Sequence, residues 1–136
     1  MRKTGYVRKT LNYIKILWAD EREFYGLVIG VFFGFLPIHG IQMATAAAVA
    51  KFAKKSPIAA VIGTHVTNWW TTIPILFLNY KIGKFIISHF FIKSIPQTVF
   101  IPLSTFTGGI ILGTFSSCLL ILLRNILNRN YEPIQY

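Results

Sequence analysis

Residues 24–50, FYGLVIGVFFGFLPIHGIQMATAAAVA, and residues 56–74, SPIAAVIGTHVTNWWTTIP, are two apolar segments, each interrupted near its middle by helix-breaking or polar residues. The interruptions decide the fold. Segments of this kind are long enough to enter a bilayer, but hydrocarbon offers no hydrogen-bond partner to the backbone groups that a break sets free, so such breaks persist only where protein or a wet recess surrounds them. As a helix, the piece from Phe24 to Leu36 reaches about 20 Å against a hydrocarbon thickness of about 30 Å, too short to cross alone. Pro37-Ile38-His39-Gly40 then either kinks one helix or turns the chain back into a second, from about Ile41 to Ala53.

Charge placement discriminates between these readings. The basic leader and the Lys51, Lys54 and Lys55 cluster flank the first segment, and Lys81 and Lys84 follow the second. Cytoplasmic loops carry an excess of Lys and Arg, so bases on both flanks predict entry and exit on one face, as two successive re-entrant hairpins. A single, kinked crossing for each segment is the alternative. In the second segment Ser56 is placed as an N-cap with Pro57 at the first helical position, the helix runs to about Asn68, and Pro74 interrupts before Ile75 to Tyr80.

The rest of the 136-residue chain agrees that lipid is the solvent. A hydrophobic content of 54% with 13% charged residues leaves too little polar surface to cover a soluble domain of this size. The formal net charge of +10 would point to nucleic acid in a soluble protein, yet the bases sit at membrane flanks, so none is expected as a partner. Residues 1–23 read as a basic amphipathic segment, with Val7, Leu11, Ile14 and Trp18 on one face of a helix over 6–22 that the acidic cluster Asp20, Glu21 and Glu23 ends. That leader is too long and too acidic for a cleaved signal peptide. Residues 24–130 form one helical membrane domain, and 131–136 a short tail. Residues 81–92 predict an interfacial helix, Pro96 and Pro102 mark a loop over 94–103, and Ser104 to Leu123 is a full transmembrane helix anchored by Arg124 and Arg129. The fold class is therefore all-α, a polytopic integral membrane protein with broken or re-entrant hairpins and at least one complete transmembrane helix. It is placed in the cell membrane with its N-terminus cytoplasmic.

Two small-residue stripes, Gly26, Gly30 and Gly34, and Gly109, Gly113 and Ser117, recur every four residues and predict close helix packing. The polar residues at membrane depth carry the functional expectation. His39 and Gln42 follow the Pro37 break at a spacing of three. Thr64, Thr67, Asn68, Thr71 and Thr72 make a hydroxyl and amide face beside His65. A threonine can satisfy itself on the preceding turn, but the Asn68 amide needs outside partners. The substrate-binding set is thus His39, Gln42, Thr64, His65, Asn68 and Thr71, with Pro37, Gly40 and Pro74 as helix breaks. Helix N-termini after Pro37 and at Ser56-Pro57, with lysines nearby, suit an anion or a phosphate-bearing headgroup. No carboxylate pair, phosphate-binding Gly loop or oriented nucleophile exists, so an enzyme is not expected; two histidines and the distant Cys118 fall short of a zinc set, so no metal or other cofactor is expected.

Gly34, Pro37, Gly40 and Gln42 in GFLPIHGIQ, then Pro57, Ala59, Gly63, Thr64, Val66 and Asn68 in SPIAAVIGTHVTN, then Thr71 or Thr72, Pro74 and Gly83, resemble the uncharacterised bacterial membrane family called domain of unknown function 2062. The family's usual Arg-x-Asn element before the proline, and the proline after the asparagine, are replaced here by Ala53, Lys55 and Trp69. The resemblance implies a small bacterial inner-membrane protein with relatives joined to glycosyltransferase-like domains, and hence an envelope glycosyltransferase as a partner and a lipid-linked envelope substrate. The function expected is binding or translocation of a polar or phosphate-bearing substrate, with membrane lipids, anionic headgroups included, and further copies of the chain as partners. The competing expectation is a structural module that anchors a partner through its glycine stripes.

Overall fold

The structure, a computed structural model, describes residues 15–90 and 96–130; the leader before residue 15, the 91–95 part of the 81–92 helix and the 94–103 loop, and the 131–136 tail lie outside them. Among the described residues there are helices and no strands. After a short helical stretch over 15–19 come α1 (Glu21–Phe35), α2 (Gln42–Phe52), α3 (Pro57–Thr64), α4 (Trp69–Phe90) and α5 (Gln97–Asn130). The acidic cluster both ends that stretch, at Asp20, and begins α1. Asp20 is its N-cap, the carboxylate accepting from the amides of Arg22 at 2.7 Å and Glu23 at 3.2 Å, and Glu21 and Glu23 face the positive end of the helix dipole.

Helix α1 ends where the sequence says it must. Pro37 has no N–H to continue the ladder, and Gly40 takes φ +92°, a left-handed conformation that costs a residue with a Cβ about 1–2 kcal/mol. At the end of α2 the chain turns through Lys54 at φ 57°, with the amides of Lys54 and Lys55 returning to the carbonyls of Lys51 (3.1 Å) and Ala50 (2.8 Å). This Schellman closure brings the chain back to its entry point, where the Ser56 amide donates to the Arg22 carbonyl at 3.2 Å. Ser56 then caps α3 through its hydroxyl, which accepts from the Ala59 amide at 3.3 Å, with Pro57 in the first turn.

The small-residue stripes determine which helices touch. Along α1, Gly26 lies against Ser56 and Ala59, Gly30 against Ala60 and Gly63, and Gly34 against Thr64, so α3 runs parallel to α1 with α2 as the antiparallel crossover. Ala46, Ala50 and Ala60, all fully buried, close the three-helix contact beneath Ile29 and Phe33. The second stripe lies on α5: Gly109 meets Phe35 and Pro37, Gly113 meets Phe32, and the Ser117 hydroxyl donates to the Val28 carbonyl at 3.3 Å. Helix α5 is therefore antiparallel to α1, and at its far end Arg124 donates to the carbonyls of Trp18 and Ala19, both at 3.2 Å, while its guanidinium lies 4.5 Å from the Phe24 ring centre. Where a backbone carbonyl fills the space of a missing Cβ, the helices approach as closely as helices can.

Three expectations are corrected. Pro74 does not break the chain but lies inside α4, and Pro102 lies inside α5, so the interfacial helix and the preceding segment are one 22-residue helix and the spanning helix begins at Gln97, not Ser104. Each proline is the sixth residue of its helix, where a missing N–H costs one ladder bond near an end that is already open. Helix α3 stops at Thr64 rather than near Asn68. Helix α5, 34 residues and about 51 Å long at 1.5 Å per residue, holds one stretch, Gln97–Asn128, long and apolar enough to cross a membrane. Only 22% of that stretch's most apolar window is buried in the chain, unlike the core helix of a soluble protein.

Candidate functional site

The two breaks, 36–41 and 65–68, come together at one end of the α1–α2–α3 unit, opposite the end where Ser56 meets Arg22. Their direct link is a long hydrogen bond, 3.5 Å, from Gln42 Nε2 to Thr67 Oγ1. We call this end the tip and the other the base.

Most tip hydroxyls are turned into the backbone. Thr67 donates onward to the Thr64 carbonyl at 3.1 Å, and Thr64 donates to Val61 at 2.6 Å. Thr64 is buried against Gly34 and belongs to the α1–α3 contact, not to an open recess. Asn68 and Thr71 head α4 as a capping box: the Asn68 amide donates to Thr71 Oγ1 at 2.7 Å, and the Asn68 carbonyl accepts from the amides of Thr71 (2.9 Å) and Thr72 (2.8 Å). Their roles are accounted for by the start of a helix. His65 is exposed and its Nδ1 lies 2.9 Å from the Val61 carbonyl; because a carbonyl only accepts, Nδ1 carries the proton and a neutral ring leaves Nε2 free to accept. His39 is exposed on the other turn. Gln42 is half-buried, and its Oε1 is shielded with no hydrogen-bond partner among the described residues. Helix α2 starts beside it at Ile41 without a side-chain cap. Of the six predicted residues, then, His39, Gln42 and His65 retain free polar capacity at the tip, whereas Thr64 and Thr71 are spent on structure and Asn68 is the cap of α4.

The expected convergence of two helix N-termini and three lysines does not form. The N-terminus of α2 is at the tip, but that of α3 is at the base with Lys51, Lys54 and Lys55, because the crossover helix carries the chain back about 16 Å between them. The tip segments 36–42 and 64–72 contain no Asp, Glu, Lys or Arg. Among the described residues no three His, Cys, Asp or Glu side chains gather to hold a metal.

Two residues absent from the expected set hold the tip together. Asn79 of α4 is wholly buried, and its Nδ2 donates at 2.8 Å to the carbonyl of Phe35, one of those left open by the Pro37 break. Asn79 packs on Gly108 and Ser104 on Gly83, a reciprocal pairing that joins α4 and α5 antiparallel. Asn79 and Ser104 each precede a glycine by four residues, and that spacing was the available signal. Asn79 Oδ1 and Ser104 Oγ are buried without a partner among the described residues.

Over residues 14–134 the chain matches the profile of a family described as an uncharacterized protein conserved in bacteria (DUF2062). No curated protein and no solved structure matches it. The matched span takes in both breaks, the base and all of α5, and the chain belongs to this family of unknown function.

Proposed function

We propose that this chain is a small polytopic protein of the bacterial inner membrane that binds or translocates a polar or phosphate-bearing substrate, lipid-linked in the envelope, at the tip where the re-entrant pair α1–α2 meets the break between α3 and α4. The observation that carries this reading is the Ser56–Arg22 hydrogen bond, which returns the chain to the end of α1 where it entered. Helix α5 supplies a ruler. Gly83 against Ser104 sets Lys84 level with Ser104, and from there to Arg124 is about 20 residues, or about 30 Å, the thickness of a bilayer core. Pro37 lies against Gly109, about five residues and therefore about 7–8 Å inside the Lys84 level. On this ruler the tip lies within the membrane near its far side, and the base lies at the near side among the cations. Exposed apolar side chains such as Phe115 (66%) and Ile73 (77%) belong to the surface that lipid covers.

The division of labour follows from charge. A neutral tip with a histidine nitrogen, an amide oxygen and the open start of α2 suits the hydroxyls of a sugar or headgroup, and the cations of the base suit a phosphate. The partner-anchoring alternative is less favoured, since both glycine stripes are already covered by the chain's own helices. The test is reconstitution in vesicles with a fluorescent polyprenyl-phosphate sugar as probe. Replacing His39, Gln42 and His65 together by Leu should reduce its binding or transbilayer movement at least tenfold while the protein still assembles. Unchanged movement and binding would reject the proposal.

A further inference from the structure

A second feature of the molecule lies away from the tip. Helices α2 and α5 flank α1 and leave between them a groove of about 410 Å³, floored by Val28 and Phe32 and walled by Val49 on one side and Ser117, Cys118 and Ile121 on the other. Its hydroxyls offer little to a polar ligand. Ser117 donates to the Val28 carbonyl, and Thr114, also at the rim, donates to Ile110 at 2.7 Å. What remains is a hydrocarbon surface.

The end of the groove at Val28 and Ile121 is the one nearer the base. Arg124 follows Ile121 by one turn, and the ammonium of Lys55 sits 4.8 Å from the ring centre of Tyr25, one turn below Ile29. The helix ends and the turn at the base carry Arg22, Lys51, Lys54, Lys55 and Arg124 alongside the carboxylates of Asp20, Glu21 and Glu23, of which Asp20 is turned into the amides of α1. A hydrocarbon slot ending at a positive cluster has the polarity of one kind of ligand.

We propose that this groove seats an acyl chain of an anionic phospholipid whose phosphate rests on the cations of the base, Lys55 and Arg124 foremost. The inference rests on the membrane reading above but not on transport at the tip. A second copy of the chain is the poorer occupant, because a symmetric pairing across the groove would bring two basic clusters face to face at the same depth. Lysine and arginine near a membrane surface each gain from anionic lipid, and apolar burial of the chain adds to that.

Cys118 is exposed in the groove wall and provides the readout. The full chain in neutral detergent is alkylated with a maleimide while dioleoyl phosphatidylglycerol or dioleoyl phosphatidylcholine is titrated in. Phosphatidylglycerol should slow alkylation at least threefold at concentrations where phosphatidylcholine does not. The pair Lys51→Gln and Lys55→Gln should abolish that difference, and Val49→Trp, which fills the groove from an exposed wall position, should abolish phosphatidylglycerol retention in native mass spectrometry. Equal protection by the two lipids, equal protection by water-soluble glycerol phosphate, or a Cys118–Cys118 disulfide dimer without lipid protection would each overturn the proposal. Because the assay involves no flux, a null result here leaves the tip reading standing, and loss of the tip reading leaves lipid protection unchanged.

Discussion

Gly30→Ala is the sharpest test of the packing that positions the tip. A Cβ built on Gly30 would overlap the Ala60 carbonyl oxygen and lie 2.8 Å from both the Ala60 carbonyl carbon and the Gly63 Cα. All three are backbone atoms, so no side chain can rotate away. Ordinary contact begins near 3.2–3.5 Å, and relieving the overlap with the carbonyl oxygen requires α1 and α3 to separate by about 1 Å or more. Both helices are rigid at this length, so the contacts of Gly26 with Ser56 and of Gly34 with Thr64 open with them. Overpacking of this kind costs about 1–3 kcal/mol, and three coupled contacts place the expectation near the upper end. For a domain of this size that corresponds to a loss of about 10 °C in Tm, measured in detergent by the tryptophan fluorescence of the melting protein. Gly40→Ala is the control. Its Cβ would meet nothing within 4 Å, so only the left-handed φ of +92° opposes it, at about 1–2 kcal/mol. A Gly30→Ala protein that melts with the wild type, or no earlier than Gly40→Ala, would show that α1 and α3 do not meet as described.

Two further outcomes are expected. Asn79→Leu keeps the volume but removes the donor to the Phe35 carbonyl, and should lower stability by about 1–2 kcal/mol, in the range of hydrogen bonds between membrane helices; unchanged melting would mean that Asn79 does not cap α1. In a Cys118→Ser background, Glu23→Cys and Lys54→Cys should react with an impermeant maleimide from the same side of inverted vesicles, as the Ser56–Arg22 contact requires of a re-entrant pair. Labelling from opposite sides would refute re-entry.

The breaks were legible because their causes are local. Pro37 removes a donor, Gly40 permits φ above zero, and Ser56-Pro57 is a helix start in any context; the expected helices 24–36 and 41–53 differ from the observed ones by one to three residues at each end. Pro74 and Pro102 were misread because a proline's effect depends on its distance from the helix start. That distance is fixed at Trp69 by the Asn68–Thr71 capping box, which reads in the sequence as a polar cluster in search of a substrate. Asn79 and Ser104 were missed for the opposite reason. Each looks like an ordinary polar residue at the end of an apolar run, and only the antiparallel meeting of α4 with α5 buries both. The separation of lysines from tip was likewise illegible, since it follows from the parallel α1–α3 arrangement and not from any one segment.

What the breaks spend on structure limits what they can recognise. At the first, the Phe35 carbonyl is taken by Asn79 and the Leu36 carbonyl by the Ile38 amide at 2.8 Å; at the second, the Thr64 carbonyl is taken twice by Thr67. A freed backbone group inside a bilayer costs several kcal/mol when unmet, so these internal bonds make the interruptions standing features of the fold and not states that a substrate must induce. The capacity left over is small and specific: His39, the Nε2 face of His65, one oxygen of Gln42 and the uncapped start of α2. None of these carries a full charge, so an anionic group finds at the tip only the partial charge of one helix start and is better held by the lysines at the base. A substrate that engaged both ends would have to extend along α2, about 16 Å, with its phosphate at the lysines and its neutral polar part at the break. Compact anions should therefore bind at the base alone and leave the tip empty.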